Sequence, residues 1–230
     1  MVTRFPQHSL SAWPWRGLRW MILAPHPDDE TLGAGALIAQ AASTGRLAGI
    51  VYLTDGSGSH PAPQSGQRKL VGIRKREAAT ALHRLTTSRA LAPVHLGWKD
   101  AGPVQPGDPC FNRSARMLAA LCVRWNVDAL AVTGLHEPHC DHAAAATLAY
   151  AAQRAAKRRV LVAEYVVWAA PPDHATHRTI GTASMAVGRR RHALRAHRSQ
   201  LTASQGPGFR LPADRQHMPA RDILYLRRRA

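Results

Sequence analysis

Residues 18–39 read LRWMILAPHPDDETLGAGALIA, and this stretch decides how the rest of the chain is read. Leu18–Ala24 is apolar on consecutive positions rather than on alternate ones, the pattern of a strand covered on both faces. It breaks into the polar PHPDDE, residues 25–30, and Thr31–Ala42 is then apolar enough to form a helix packed against a sheet. A strand, a polar loop and a packed helix make the first unit of a parallel α/β sheet.

The same alternation continues outward. Ala48–Thr54 is a second strand, followed by a Gly/Ser/Pro-rich loop, Asp55–Gln67, and a helix over Lys69–Leu85. Pro93–Gly97 is a short third strand, Asp100–Asn112 a loop and Ser114–Trp125 a helix. Ala129–Gly134, Asp141–Ala156 and Val160–Ala169 give strand, alanine-rich helix and a long apolar strand. Beyond them the spacing predicts a strand near Thr179–Val187, a basic helix near Arg189–Leu201 and a closing strand near Ile223–Arg227. The expected architecture is three-layered α/β/α, Rossmann-like, around a mostly parallel sheet: residues 1–17 as a tail, 18–230 as one domain. Ligands of such sheets sit beyond the carboxyl ends of the strands. PHPDDE follows strand one, TDGSGSHP strand two and HEPHCDH strand four, so the chemically loaded segments share one edge.

Composition narrows the function. No run reaches the roughly 18 apolar residues of a membrane span, and the first 20 residues lack a signal peptide's apolar core. Cys110, Cys122 and Cys140 cannot all pair and show no C-x-x-C spacing, which predicts reduced thiols and a cytoplasmic home. The net charge of +17 comes mostly from arginines in separate short runs, such as Arg158–Arg159 and Arg189–Arg191. Aromatic residues do not interleave with them, so nucleic acid is not the expected partner; a solvated basic surface that can draw in an anionic substrate is.

His26, Asp28, Asp29 and Glu30 crowd into five positions after the first strand. An Asx-rich turn capping the next helix would look similar. Zinc, however, accepts imidazole nitrogen and carboxylate oxygen, and neighbouring carboxylates repel unless a cation lies between them. Asp28 and Asp29 point different ways in a turn, so one can ligate while the other faces water. In HEPHCDH, His139 and His142 are three apart at a helix start, which lets one imidazole reach a metal and the other a substrate. Cys140 reads as a packing residue, and no serine occupies a nucleophile-elbow G-x-S-x-G context.

Taken together, His26-Pro27-Asp28-Asp29-Glu30 and His139-Cys140-Asp141-His142 resemble the PIG-L/LmbE-like zinc de-N-acetylases. TLGAGALIA, Leu53–Gly56, Arg74-x-x-Glu77, Leu96-Gly97 before Asp100, and Ala193–Gln200 (ALRAHRSQ) are similar to the family pattern too, which extends the likeness over residues 18 to 226. The resemblance implies one divalent ion, zinc by preference, on His26, Asp29 and His142. It implies Asp28 as general base, His139 oriented by Asp141 as the protonated electrostatic partner of an oxyanion, and Arg74 and Asp100 as contacts to sugar hydroxyls. The implied reaction removes an acetyl group from an N-acetylglucosamine-type sugar or glycoconjugate. Two other readings stand beside it: an amidase of the same chemistry on a thiol conjugate or other N-acyl amine, and a basic binding protein with a vestigial metal site. Cys140 departs from the proline common between the two histidines, and the loops Gly56–Gln67 and Ala101–Asn112 match no subfamily pattern, which leaves the substrate open.

Overall fold

The computed structural model describes residues 6–89 and 91–228. Eight strands form one sheet: β1 (His8–Ser9), β2 (Trp20–Ala24), β3 (Leu47–Thr54), β4 (Val94–Trp98), β5 (Ala129–Thr133), β6 (Leu161–Tyr165), β7 (His177–Gly181) and β8 (Ile223–Arg227). Their order across the sheet is β1-β7-β8-β6-β5-β2-β3-β4. The five strands from β6 to β4 are parallel, and β8 runs antiparallel to both of its neighbours. The helices are α1 (Asp29–Ser43), α2 (Gln64–Thr86), α3 (Pro109–Arg124), α4 (Cys140–Ala155), α5 (Arg189–Leu194) and α6 (Arg198–Leu201). None of the described helices is long and apolar enough to cross a membrane.

The parity of β2 sorts the core into two layers. Trp20, Ile22 and Ala24 face a cluster that holds Leu37 and Ile38 of α1, Leu82 and Leu85 of α2 and Ala193 of α5. Met21 and Leu23 face the other way, onto Leu118 and Cys122 of α3 and Ala145 and Ala149 of α4. Both faces are therefore covered, which is why the strands read as continuous apolar runs. The expected three-layer α/β/α arrangement is what forms.

Several boundaries differ from the sequence reading, each for a physical reason. Residues read as a tail contribute β1, whose His8 and Ser9 pair in parallel with Ile180 and Gly181, and Leu10 packs into the core; residues 1–5 lie outside the described residues. Helix α3 begins at Pro109, inside the segment read as a loop, because Asp108 caps it by accepting from Cys110 N at 2.6 Å. The strand expected to run to Ala169 stops at Tyr165, since the next amides turn toward the Glu137 carboxylate. The expected basic helix breaks into α5 and α6 around His197, which is fully buried.

The basic surface is also less purely a surface than the sequence reading has it. Arg189 donates to Leu85 O (2.6 Å) and Arg84 O (3.4 Å), covering the last carbonyls of α2. Arg190 is buried between Thr31 O, Pro219 O and the Asp222 carboxylate. Arg158 pairs with Asp128 at 2.7 Å. Several arginines thus hold elements together instead of only solvating a face.

Helix α1 approaches β6 so closely that a methyl group at Gly33 would overlap the Tyr165 ring. Gly33→Ala should therefore cost about 1–3 kcal/mol of stability by overpacking. For a domain of this size that lowers the melting temperature by roughly 2–12 °C, and a variant melting within about 1 °C of the parent would show that Tyr165 moves aside freely.

Candidate metal and substrate site

The turn between β2 and α1 sets the site. Asp28 sits at φ 145°, a conformation that a non-glycine residue holds only when its surroundings enforce it. The enforcement is visible. Glu30, fully buried, accepts from Asp28 N at 2.9 Å and from the Thr31 hydroxyl at 2.6 Å, and lies 3.1 Å from His197 Nε2. Arg74 braces the other side by donating to Pro27 O and Gly56 O, both at 2.9 Å. Gly56 has φ 70°, and a Cβ there would press against the Arg74 guanidinium at 2.9 Å, so glycine is required on both counts.

Within this frame Asp29 Oδ2 lies 3.0 Å from His26 Nδ1 and 3.2 Å from His142 Nε2. The donor atoms of His26, Asp29 and His142 all fall within 4.8 Å of one another. Each imidazole presents its second nitrogen to a further carboxylate. His26 Nε2 lies 3.0 Å from Asp141 Oδ2 and 3.3 Å from Asp100 Oδ1, and His142 Nδ1 lies 3.3 Å from Glu137 Oε2. Two imidazoles and a carboxylate, with outer carboxylates fixing the rings, form a donor set that suits a divalent ion such as zinc.

The electrostatics point the same way. Burial disfavours charge on His26, yet the carboxylates of Asp100, Asp141 and Asp29 outweigh it and hold its pKa well above the ordinary value. His142, also opposed by burial, is raised to about 9 by Asp29 and Glu137. Asp29 is driven below the usual carboxylate range, because the two imidazoles overcome its desolvation. The cluster demands positive charge, as protons or as a metal cation.

Asp28 behaves differently from its neighbour. Burial raises it to about 6, against the pull of Arg74, whose Nη2 is 3.6 Å from Asp28 Oδ1. His139 is half-buried; burial and then the His26 and His142 charges lower its pKa. Its Nδ1 accepts from the backbone N–H of Asp141 at 3.2 Å, so a neutral ring carries its proton on Nε2. The expected orientation of His139 by Asp141 is thus made through the Asp141 backbone N–H, on a ring whose pKa is lowered where a protonated one was expected. The Asp141 carboxylate turns to His26 and accepts from Ala101 N at 2.8 Å, and it stays near His139, since donor atoms of His26, His139 and Asp141 all lie within 4.8 Å of one another.

A cavity of about 500 Å³ opens over these groups. His26, Asp28, Asp29, Arg74, Asp100, His139 and His142 line it, with Gln200, Trp168 and Phe209 among its other walls. Every residue singled out in the sequence as a site residue except Asp141 borders this space, and Asp141 lies fully buried behind His26. Arg74 and Asp100 are 3.6 Å apart and act first on the protein: Asp100 accepts from Gly58 N at 3.1 Å and touches His26. Sequence reading missed Glu137, although it stands in the quoted HEPHCDH, and placed Trp168 in a strand. Gln200, buried with an unpartnered Oε1, was quoted in ALRAHRSQ without a role.

Solved structures with the same fold include several named as deacetylases and one named as a hydratase, the 4-carboxy-2-hydroxymuconate hydratase GalB. N,N'-diacetylchitobiose deacetylase from Pyrococcus horikoshii is 18% identical, with a TM-score of 0.63 over 82% of this chain and 73% of its own. The A40926 pseudoaglycone deacetylase Dbv21 is 18% identical, with a TM-score of 0.63 over 92% and 98%. The zinc-inhibited form of teicoplanin deacetylase Orf2 is 19% identical, with a TM-score of 0.59 over 91% and 98%. At these identities the likeness establishes the fold. No curated protein sequence matches significantly. Residues 21–153, more than half of the chain and the part that carries every donor of the cluster, match the profile described as PIG-L: GlcNAc-PI de-N-acetylase, and the chain belongs to that family.

Proposed function

We propose that this protein is a metal-dependent N-deacetylase, with zinc the preferred ion, that removes an acetyl group from an N-acetylglucosamine-type sugar or glycoconjugate. The observation that carries the reading is the convergence of His26, Asp29 and His142 under a cavity that also exposes Asp28 and His139. His26, Asp29 and His142 hold the ion, which when bound polarises the amide carbonyl and acidifies a water.

The protein's own groups do the rest. Asp28 is ionised at neutral pH yet only about one unit from its pKa of about 6, which suits a general base. It takes the proton of the attacking water and returns a proton to the leaving amine. His139, neutral with Nε2–H directed by the Asp141 backbone, donates to the developing oxyanion; removing one preorganised donor of this kind costs about 3–4 kcal/mol of transition-state stabilisation. Asp141 and Asp100 hold the His26 ring, and Glu137 holds His142. Arg74 and Asp100 line the cavity wall, and in this reading they contact sugar hydroxyls.

Acetate release from N-acetylglucosaminides, set against release of larger acyl groups from other N-acyl amines, tests the substrate class. Absence of turnover on all of them by the zinc-loaded protein would favour a binding role. Two residue-level outcomes are expected. His142→Ala should lose stoichiometric zinc while keeping the fold, as read by metal analysis and circular dichroism. Asp28→Asn should keep zinc and lose roughly a hundred- to ten-thousandfold in kcat; equal zinc loss in both variants would show that the neighbouring carboxylates have been assigned the wrong way round.

Zinc binding should also depend steeply on pH. Both imidazoles have raised pKa values, that of His142 to about 9, so in the neutral range the metal-free site holds protons that zinc must displace. Two displaced protons make the affinity rise roughly a hundredfold per pH unit across the neutral range. Calorimetry in buffers of different ionisation enthalpy reads the protons released, and a pH-independent affinity would contradict the assignment of both ligands.

A further inference from the structure

We infer that Glu137 is a positioning residue whose single carboxylate fixes both His142 and the Trp168 wall of the cavity, so that metal binding and the placement of that wall are coupled. The inference rests on the metal site proposed above and adds a link between that site and the substrate space. Glu137 is 5% exposed and lies between β5 and α4. Its Oε2 is 3.3 Å from His142 Nδ1. The same carboxylate accepts from three consecutive amides: Val167 N at 2.6 Å, Trp168 N at 3.1 and 3.2 Å, and Ala169 N at 3.3 Å. Apolar residues that would otherwise extend β6 are thereby drawn off the sheet and into a loop.

Trp168 gives the loop its consequence. Trp168 borders the 500 Å³ cavity and also a neighbouring cavity of about 650 Å³, and it is the residue that the two linings share. Phe209 packs against it edge-on at 6.2 Å, and Arg215 lies over it at 5.5 Å. A shift of its backbone would reshape both spaces at once.

The chemistry requires a carboxylate at position 137. With His142 Nε2 at the metal side, Nδ1 carries a hydrogen and donates, as do the three amides. Four donors converge on two oxygens, which only an ionised carboxylate serves completely. A glutamine would keep one oxygen but turn an NH₂ donor toward either His142 or the loop. It can satisfy one side and not both. A purely structural carboxylate would show no dependence of the loop on the metal.

The test uses the full-length protein, zinc alone as the probe, and no substrate. Zinc affinity is measured by chelator competition, and hydrogen exchange is followed at the amides of residues 167–169. In the wild type, zinc should slow exchange at these amides. Glu137→Gln should weaken zinc by 10- to 100-fold and abolish the zinc-dependent slowing, and Glu137→Asp should recover part of the zinc affinity. Thermal melting separates these effects from a general loss of fold. Zinc binding to the wild type that leaves exchange at 167–169 unchanged overturns the coupling, and this arm needs no variant. So does a Glu137→Gln protein in which zinc still slows exchange at these amides as it does in the wild type. A wild type that binds no zinc overturns the metal centre proposed above and the coupling with it, which distinguishes the two failures.

Discussion

Asp29 stands buried between two imidazoles, and most of the site is arranged around that one carboxylate. A charge removed from water must be matched close at hand or it neutralises. Here the surroundings add more negative charge instead of less: Asp100 and Asp141 beside His26, Glu137 beside His142, and Asp28 one residue away. Arg74 is the permanent cation among them, and it is 3.6 Å from both Asp28 and Asp100. The excess of carboxylate has a simple electrostatic resolution, a cation in the centre. The same surroundings explain why the pKa values of Asp28 and Asp29, adjacent in sequence, shift in opposite directions. Asp29 has both imidazoles against it, whereas Asp28 has one guanidinium at longer range and is raised by burial.

Holding such a cluster in one geometry draws on residues distant in the chain. The strained backbone of Asp28 is fixed by Glu30, and Glu30 in turn faces His197, 167 positions later. Glu77 does for the C-terminal segment what Arg74 does for the first loop, accepting from the Ser199 amide at 2.9 Å and its hydroxyl at 2.6 Å. Two residues one turn apart on α2 therefore brace opposite halves of the site. This placement gives Arg74-x-x-Glu77 and His197-x-Ser199-Gln200 a shared physical purpose, since each fixes a loop that regular secondary structure leaves free. Fixed loops allow a site to be preorganised before anything binds.

The parallel sheet supplies the convergence. Strands β2, β3, β4 and β5 all end at the same edge, so the segments after them meet without long excursions. Beside them, β8 enters antiparallel to β6 and starts where β6 ends. The loop after β6 and the approach to β8 thus close the side of the site and enclose the second cavity, with Trp168 in the lining of both cavities.

Much of this was legible in the sequence. The continuous apolar runs of β2, β3, β5 and β6 announced a sheet covered on both faces, and HPDDE with HCDH announced a candidate metal-binding edge, because hydrophobic burial and ligand chemistry act on residue types close together in the chain. The sequence alone could not tell which groups lie between the motifs, since those contacts join residues far apart. Glu137 looked like one more polar residue in a histidine-rich turn, and Val166–Ala169 looked like strand, until the fold brought the carboxylate to those amides. Asp141 was expected to orient His139; its backbone N–H meets that ring, while its side chain also reaches His26, 115 positions earlier, a pairing that only the folded chain supplies. Local pattern determined most of the strands and helices and the candidate ligands; only tertiary structure decided which carboxylate serves which imidazole, because a buried charge pairs with whatever the packed chain places beside it.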